Sequence, residues 1–589
     1  MCGIIGINEK NESLITESAE LFCYRGPDAF GIFSDKQITL GHNRLSIIDL
    51  NTRSNQPMWD EAKEIAIVFN GEIYNFKELR EKLSDKYHFH TTSDTEVVLY
   101  LYREYGEEMG RYLHGMYAFA IYDKNKKQIY LFRDHVGIKP LYYLYRDGLF
   151  AFSSELKGLT HIMKEKYGEV SINHEGINLY KVLGYIPSPH TLYKNIWKLE
   201  RSSFLVFDIA TKHIQKITAL KPIVKETNDF KDFSNIIEQT ILNHLVSDVP
   251  VGVFFSGGTD SSLIAAVLHK HGVDLETFSI RMTRKKEDER YFQAIAKHLS
   301  LKSRVFDFGI KEFDEIYHEV MDRIDEPLSD SSLFPTYYLS KQSARFIKVI
   351  LSGEGGDEYF YGYPRSKILF GFNSKKCDFH ITILDRLYFT IPSFFGKNRL
   401  FEKLFQFVGQ PISYYLVHMS PARDLATLAE WRRTKEEFRG KKVTPMEFDQ
   451  KFYLENDPLR KTDLMTSYSS IEGRVPLLDA NIVLNAPYFA NKHLEGGVLK
   501  ASLKKILTSY LPANLVYRGK SGFGMDMRAY FYESQHLKLD LNRAIKFLSE
   551  RGVIDMKWKD NDIKRGIDKY PNFCFSLISL FYVMRNNEK

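Results

Sequence analysis

The sequence has few of the features that mark membrane-spanning proteins, secreted proteins or proteins stabilised by structural zinc. Its 589 residues include only four cysteines. These are Cys2, Cys23, Cys377 and Cys574, and their spacing matches no common metal-binding pattern. Scattered cysteines suit a reducing compartment better than a disulfide framework. We therefore expect a cytoplasmic protein that needs no structural zinc.

Long hydrophobic runs are missing as well. The best candidate, residues 575–584, contains two serines and is shorter than the roughly 18 apolar residues that a membrane helix requires. The opening residues, MCGIIG, form neither a basic leader nor a long apolar core, so we expect no secretory signal. These absences predict a soluble protein without a membrane span.

A strong excess of one charge is also absent. The chain has 81 basic and 75 acidic residues, and its densest cluster, residues 284–290, is nearly balanced. This pattern gives nucleic-acid binding little support. The length and the 44% hydrophobic composition instead predict a globular protein with more than one hydrophobic core. Composition leaves the oligomeric state open, including a homodimer.

The first 155 residues are rich in short strand-like runs. Apolar or alternating runs separated by turn residues predict many strands in stacked sheets. The predicted strands are 38–45, 65–69, 118–122, 128–132, 141–145 and 149–153. Helical periodicity is confined to about 76–83 and 95–105. We therefore expect a layered α+β sandwich over this part.

The second part of the chain has the pattern of a parallel α/β sheet, because strand, glycine turn and helix follow one another. Its predicted elements are the helices 233–246 and 262–271 and the strands 249–255, 276–280, 302–306 and 347–352. Residues 368–508 are mostly helical and aromatic in pattern. This part is therefore expected to be an α/β parallel-sheet domain with a large helical portion.

A proline-containing, polar stretch at 187–222 marks the boundary between the two parts. We expect a first domain over residues 1–210, a linker over 211–230 and a second domain over 231–589.

Cys2 combines two useful groups once Met1 is removed, because its thiol and a free α-amino group then belong to one residue. Such an amine has a reference pKa of about 8 and can take a proton near neutral pH. Taken alone, a cysteine is more often a small buried hydrophobe.

Asn70 and Gly71 have two interpretations. Asn-Gly is a strong hairpin-turn signal, but the amide of Asn70 and the N–H of Gly71 would also form a pair of oxyanion donors.

A polar, glycine-rich loop at 251–262 separates a predicted strand from a helix N-terminus. Backbone N–H groups in such a loop can face an anion, and its hydroxyl side chains add donors. A plain glycine turn is the alternative. The chain contains no Walker-type G-x-x-x-x-G-K-S/T motif, which removes the main support for a kinase or a GTPase.

A second polar cluster, residues 350–363, follows another predicted strand. The carboxylates of Asp260 and Asp357 would together suit Mg²⁺, which prefers oxygen ligands and bridges phosphates. Considered alone, this cluster is also consistent with a helix cap that carries solvated acids.

Ordered motifs in the first part resemble a class II glutamine amidotransferase domain. They are MCGIIG (1–6), YRGPD (24–28), HNRLS (42–46), FNGEIYN (69–75), SDTE (93–96), GMYAFA (115–120), RD (133–134) with GIKPLYY (137–143), and SSELK (153–157). The resemblance implies a fold of the N-terminal nucleophile type. It also implies that Cys2 attacks the carboxamide of glutamine and forms a glutamyl thioester.

The same resemblance implies the contacts to glutamine. Asn70 and Gly71 would stabilise the oxyanion. Arg44 would hold the α-carboxylate, where a bidentate guanidinium gives orientation as well as charge. Glu72 and Asp94 would pair with the α-ammonium.

The second part resembles enzymes that cut ATP between its α- and β-phosphates. The sequence SGGTDSS at 256–262 is similar to the pyrophosphate loop of ATP pyrophosphatases, and SGEGGDE at 352–358 is similar to a motif of asparagine synthetases. Over nearly the whole chain, the resemblance is to glutamine-hydrolysing asparagine synthetases. The implied ATP-binding residues are Ser256, Gly257, Gly258, Thr259, Asp260, Ser261, Ser262, Ser352 and Gly353.

That resemblance also implies the remaining roles. Asp260 and Asp357 would hold Mg²⁺, Glu354 would act as a base during ammonia attack, and Lys520 would meet the pyrophosphate. The expected partners are glutamine, ATP and a carboxylate acceptor, which would become an acyl-adenylate. An internal tunnel between the two domains would carry the ammonia.

Two departures from the family pattern bear on the acceptor. Well-known asparagine synthetases carry an arginine in the segment that matches 325–336, where this sequence has none and Ser331 or a neighbour takes its place. Tyr468 replaces a methionine that is usual in the family. Aspartate is our first choice of acceptor, and a uronic acid of bacterial surface polysaccharide is the alternative. β-Lactam synthetases share the fold but lack the N-terminal cysteine. A non-enzymatic binding or scaffold protein would need neither the polar residues around Cys2 nor those of the loop at 251–262.

Overall fold

In the computed structural model, the chain forms two antiparallel sheets in its first part and one parallel sheet in its second part. The structure describes residues 1–283, 287–369, 419–421, 428–438, 443–492, 497–517, 524–554 and 558–588. The predicted fold class, an α+β layered sandwich followed by an α/β domain with a large helical portion, is confirmed.

Two six-stranded antiparallel sheets form the sandwich. The first has the order β10-β8-β9-β1-β3-β2 and the second the order β12-β11-β7-β6-β5-β4. The strands are β1 (Gly3–Ile7), β2 (Ala29–Ser34), β3 (Thr39–Arg44), β4 (Met58–Trp59), β5 (Ile65–Ile73), β6 (Gly115–Asp123), β7 (Gln128–Arg133), β8 (Tyr142–Arg146), β9 (Leu149–Ser153), β10 (Ile196–Lys198), β11 (Ser203–Asp208) and β12 (His213–Ala219). The helices of this part are α1 (Glu12–Glu20), α2 (Phe76–Leu83), α3 (Asp94–Tyr105), α4 (Leu156–Tyr167) and α5 (His174–Leu183).

The alternation of side chains along each strand builds four layers. Ile4 of β1 and Val68 of β5 lie in the apolar layer between the sheets. Their neighbour Ile5 faces α1 and α4, where it packs in a cluster with Leu159. On the other sheet, Phe69 faces α3. Helices therefore cover both outer faces of the sandwich.

A five-stranded parallel sheet of order β15-β14-β13-β16-β17 forms the second domain. Its strands are β13 (Val251–Phe254), β14 (Glu276–Met282), β15 (Lys302–Phe308), β16 (Val349–Leu351) and β17 (Glu472–Arg474). The helices connecting them begin with α6 (Phe230–Asn243), α7 (Thr259–Lys270), α8 (Glu287–His298), α9 (Ile310–Met321), α10 (Leu333–Ser343), α11 (Gly356–Tyr359) and α12 (Pro364–Leu369). β13 pairs with β16, Val251 opposite Val349, so the loops that follow both strands leave the sheet side by side.

Helices dominate the remainder of the described chain. They are α13 (Leu428–Glu437), α14 (Pro445–Phe448), α15 (Pro458–Ser467), α16 (Ala480–Lys492), α17 (Ala501–Leu507), α18 (Ala513–Val516), α19 (Met527–Glu533), α20 (Leu537–Glu550), α21 (Asp560–Lys569) and α22 (Pro571–Glu588). α22 packs along α20 and buries most of its apolar residues. Within the described ranges, we find no helix with the length and apolar character that a bilayer crossing demands.

The hairpin interpretation of Asn70-Gly71 is wrong. Both residues lie inside β5, opposite Ala118 and Tyr117 of β6. Gly71 has a φ of +153°, and a Cβ at this position would lie 2.0 Å from the carbonyl oxygen of Met116. A glycine is therefore required by the backbone here, although the chain does not turn.

Buried ion pairs join the two domains. Arg25, fully buried, contacts Glu155 at 2.6 Å within its own domain and Asp463 of α15 at 2.8 Å. Arg133 of β7 contacts Glu455 of the second domain at 2.7 Å, again with both side chains almost inaccessible. Charges in such an interface interact strongly, and each depends on its partner.

We expect Glu455→Ala to destabilise the protein by about 3–5 kcal/mol, because it leaves the guanidinium of Arg133 buried without a counter-charge. Chemical unfolding monitored by fluorescence measures this change. Asp274→Ala is the control, since Asp274 and Lys302 are mostly exposed and their pair contributes at most about 1 kcal/mol. Equal, small effects of both substitutions would contradict the expectation.

Candidate active sites

Cys2 immediately precedes β1 and lies beside the chain that follows β3. Its sulfur accepts a hydrogen bond from the N–H of Leu45 at 3.4 Å. Burial raises the pKa of the Cys2 thiol, so the thiolate needs a base. The adjacent α-amino group of Met1 is fully buried, and burial lowers its pKa to about 5. The Met1 amine is therefore mostly neutral near pH 7.

Asn70 is a completely buried residue next to the cluster on which Cys2 packs. Neither its amide oxygen nor its amide nitrogen has a hydrogen-bond partner among the described residues. Buried amides are normally paired, so this one is available to a group that the described residues do not supply. An oxyanion is such a group.

Arg44 ends β3 and points its guanidinium at neutral oxygens. Its hydrogen bonds go to the carbonyl of Asn51 at 2.9 Å, the carbonyl of Asp49 at 2.5 Å and the side chain of Asn55 at 2.7 Å. These acceptors fix its direction, and all three are neutral oxygens. Such an arginine is suited to a substrate carboxylate.

Glu72 and Asp94 form an acidic pocket at the end of β5. Asp94 accepts a hydrogen bond from the N–H of Ile73 at 3.0 Å, which ties it to the residue after Glu72. Burial raises the pKa of Asp94 to about 6 and that of Glu72 well above its usual range. Arg474 of β17 lies 3.4 Å from Glu72 and opposes this rise in its pKa. Of the predicted glutamine contacts, Arg44 therefore lies beside Cys2, and Glu72 and Asp94 lie together at the end of β5.

The predicted ATP loop connects β13 to α7. Gly257 adopts a left-handed conformation with φ +69°, and α7 begins at Thr259. Within the loop, the N–H of Ser256 donates to the hydroxyl of Ser261 at 3.2 Å, and the N–H of Gly258 donates to the hydroxyl of Ser256 at 3.3 Å. Asp260 and Ser262 occupy the first turn of α7. This geometry faces a helix N-terminus toward the carboxyl edge of the sheet, where an anion is stabilised.

The loop after β16 packs directly against this one. A Cβ at Gly353 would lie 2.7 Å from the Cβ of Asp260, and a Cβ at Gly356 would lie 2.4 Å from a carboxylate oxygen of Asp260. The hydroxyl of Ser352 donates to Glu354 at 3.0 Å. Glycines therefore permit a contact between the two loops that any side chain would block.

Lys500 joins the two predicted magnesium ligands. Its ammonium contacts Asp260 and lies 2.7 Å from Asp357. Burial opposes its charge, but the two carboxylates raise the pKa of Lys500. No local sequence pattern marks this lysine, because its role depends on a tertiary contact. Lys520, the predicted phosphate-binding lysine, lies outside the described residues.

Helix α15 supplies polar groups beside Glu354. The hydroxyl of Thr462 donates to Glu354 at 2.9 Å. The ammonium of Lys461 donates to Asp330 at 2.9 Å and to the hydroxyl of Ser332 at 2.8 Å. The segment that lacks the family arginine therefore receives a cation from another element, which sequence reasoning missed.

Asp457 and Glu358 are buried acids in the same region. One carboxylate oxygen of Asp457 has no hydrogen-bond partner in the described chain, and burial raises its pKa well above the usual range, as does nearby Asp330. Burial and the neighbouring Asp357 raise the pKa of Glu358 to about 7. Its carboxylate accepts a hydrogen bond from Tyr363 at 2.5 Å. An added ammonium group would stabilise the charged forms of both acids.

The other family difference, Tyr468, lies elsewhere. Its ring packs edge-to-face on Tyr24 of the first domain, with ring centroids 4.9 Å apart. This residue therefore belongs to the interface between the domains.

We expect Asn70→Ala to leave the free energy of unfolding within about 1 kcal/mol of its original value, because no hydrogen bond to a described residue is lost. Asn75→Ala is the matched control. It removes hydrogen bonds to the carbonyl of Tyr112 and from the N–H of His114, and should destabilise by about 1–3 kcal/mol. Chemical unfolding of both variants measures the two changes in the free energy of unfolding. A larger loss for Asn70→Ala would show that its amide has a structural partner.

The two parts of the chain match two family models. Residues 1–217 match the glutamine amidotransferase domain, and residues 232–569 match asparagine synthase. Glutamine-hydrolyzing asparagine synthetase 1 of Bacillus subtilis is 31% identical over 594 residues, which cover 94% of this chain and 91% of that protein. Asparagine synthetase B of Escherichia coli is 33% identical over 387 residues, covering 62% of this chain and 65% of that protein.

A plant relative shows the same level of similarity. Asparagine synthetase 2 of Arabidopsis thaliana is 32% identical over 387 residues, covering 62% of this chain and 61% of that protein. The two domains together make the protein a carbon–nitrogen ligase that takes its amide nitrogen from glutamine and uses ATP. The chain belongs to the family of glutamine-hydrolysing asparagine synthetases.

Proposed function

We propose that this protein converts aspartate to asparagine, with ammonia released from glutamine at Cys2 and captured by an aspartyl adenylate beside Glu354. The observation that favours this acceptor is the buried, unpartnered carboxylate oxygen of Asp457 within the described chain. A cationic substrate group beside Asp457 would stabilise its charged form together with Lys461, and aspartate carries such a group where a uronic acid does not.

The first half-reaction uses the groups around Cys2. After removal of Met1, the α-amino group of Cys2 takes the thiol proton, and the sulfur attacks the carboxamide carbon of glutamine. Asn70 and Gly71 stabilise the oxyanion, and loss of one such donor costs roughly 10² to 10³ in turnover. The amine returns its proton to the departing ammonia. Water then cleaves the thioester to glutamate.

Substrate recognition in this half-reaction is electrostatic. The guanidinium of Arg44 meets the α-carboxylate of glutamine, and the acidic pair Glu72 and Asp94 meets its α-ammonium. The support for these roles is that the Arg44 hydrogen bonds to described residues go to neutral oxygens and that burial makes the charge of Glu72 costly without a cation.

The second half-reaction uses the paired loops of the parallel sheet. ATP binds with its phosphates at the N-terminus of α7, and an acceptor carboxylate oxygen attacks the α-phosphorus, so pyrophosphate leaves. Ammonia then attacks the acyl carbon and AMP departs. Glu354, held by Ser352 and Thr462, takes the proton that the attacking nitrogen loses.

Asp260 and Asp357 fit the role of magnesium ligands, because both carboxylates contact Lys500 and so lie close together. Mg²⁺ bound there would neutralise phosphate charge. Lys500 adds a buried cation at the same place and joins Lys520 as a proposed contact of the pyrophosphate.

Blocking one site should spare the other. We expect Cys2→Ala to abolish glutamine-dependent synthesis while synthesis from ammonium salts continues, because only ammonia release needs the thiol. Asp260→Asn should stop synthesis from either nitrogen source and leave glutamine hydrolysis measurable. Cys23→Ala, an exposed cysteine, is the control. Loss of both activities in Cys2→Ala, or glutamine-dependent synthesis that survives it, would contradict this division.

The acceptor is tested by pyrophosphate release with ATP, Mg²⁺, an ammonium salt and one carboxylic acid at a time. We expect activity with aspartate and little with succinate, which differs from it by the ammonium group. Asp457→Asn should raise the KM for aspartate by roughly tenfold or more, since about 1.4 kcal/mol of lost interaction is a factor of ten. Glucuronic acid that releases pyrophosphate where aspartate fails would establish the alternative acceptor.

A further inference from the structure

Arg474 reaches from the parallel sheet of the second domain into the glutamine pocket of the first. The residue ends β17, and its side chain is fully buried. Its Nε lies 2.9 Å from Glu472, and its Nη1 donates to the carbonyl oxygens of His244 at 2.8 Å and Val246 at 2.6 Å. These contacts fix the plane of the guanidinium. Its remaining nitrogen, Nη2, points toward Glu72 at 3.4 Å.

This last nitrogen is not satisfied by the protein. Within the described part of the chain, Nη2 of Arg474 is buried and makes no hydrogen bond of good geometry. A purely structural arginine would be expected to use all its donors, because a buried unpaired donor costs about 1–3 kcal/mol. Its position instead suits electrostatic control of Glu72.

The charges around Glu72 explain what Arg474 controls. Burial raises the pKa of Glu72, Arg474 is the strongest opposing influence, Asp94 and Glu472 raise it further, and Lys139 lowers it. Three buried carboxylates, from β5, α3 and β17, therefore face one close guanidinium. Without that guanidinium, mutual repulsion would favour the protonated acids.

The imidazole ring of His244 lies near this pocket and carries no charge near neutral pH. His244 stacks on Tyr74 with ring centroids 3.7 Å apart, and burial lowers the pKa of His244 to about 4. Among the described groups of the second domain that act on Glu72, Arg474 supplies a positive charge and Glu472 a negative one.

We propose that Arg474 is a positioning residue for glutamine, supplied by the second domain to keep the Glu72 carboxylate ionised and directed at the α-ammonium of the substrate. This inference rests on the proposed role of Glu72. It means that the first domain alone does not contain a complete glutamine site.

The same residue also touches the nucleotide side. The carbonyl oxygen of Arg474 accepts a hydrogen bond from the N–H of Ser352 at 2.8 Å. One residue therefore contacts the glutamine pocket with its side chain and the loop after β16 with its backbone.

Glutamine binding as a function of pH tests the proposal. Calorimetry in a Cys2→Ala background gives the dissociation constant without turnover. Glutamine binds ionised Glu72, so affinity falls as pH drops through the pKa of this group. In Arg474→Met that pKa rises, and the fall should begin about 1–3 pH units higher. At a pH below both the parental and the new pKa, affinity should be about tenfold weaker for each pH unit by which the pKa of Glu72 has risen.

Two further variants are expected to shift the pH at which glutamine affinity falls in different directions. Glu472→Gln removes a neighbouring negative charge, so the fall in affinity should begin at lower pH than in the parent protein. Arg474→Lys keeps the charge without the planar fork and should lie between Arg474→Met and the parent. Arg281→Met, which removes an exposed arginine from β14 of the same sheet, should leave the pH dependence unchanged.

Synthesis from ammonium by Arg474→Met in the protein that retains Cys2 shows that this variant is folded. If it is folded and its glutamine affinity follows the parental pH dependence, the proposal is overturned. If that variant does not fold, parental pH profiles in both Glu472→Gln and Arg474→Lys would overturn it. Glu72→Gln separates this inference from the proposed function. Parental glutamine affinity in Glu72→Gln would refute the role of Glu72 itself, whereas weakened affinity there with no effect at Arg474 would refute only the inference.

Discussion

The parallel pairing of β13 with β16 is the constraint on which the second site depends. Because Val251 lies opposite Val349, the loops that follow the two strands emerge together at the carboxyl edge of the sheet. Crevices at this edge are where open α/β sheets bind ligands. Close contact then requires residues without side chains, which Gly353 and Gly356 provide against Asp260. A slip of the register would separate the two carboxylates that we assign to the metal.

Local patterns predicted much of the fold. The strand, glycine turn and helix around residues 251–262 could be recognised because each signal lies within a few neighbouring residues. β17 has three residues and no measurable periodicity, so its place at the sheet edge was not predictable. Asn70-Gly71 was misleading in isolation, since the pairing of β5 with β6 continues through it to Ile73 and overrides the local turn preference.

The candidate site residues likewise divide into those that the sequence could reveal and those that it could not. Cys2, Arg44 and the loop at 256–262 could be proposed from ordered motifs. Lys461 and Arg474 could not, because their significance depends on acids that are distant along the chain. A basic residue in a sequence is usually a solvated surface charge, and only the fold reveals which are buried against carboxylates. The roles of the motif residues stay proposals, and Lys520 lies outside the described chain.

The charged contact between the domains restricts which substitutions either domain of this protein can accept. Arg25 of the first domain meets Asp463 of the second, and both are buried. An apolar interface would tolerate many combinations of similar shape, whereas a buried charge accepts only a partner of opposite sign at the same position. Replacing either half with one that lacks the matching charge would leave Arg25 or Asp463 without this partner. The two halves match separate family models, yet this pair makes the residue on one side depend on the residue on the other.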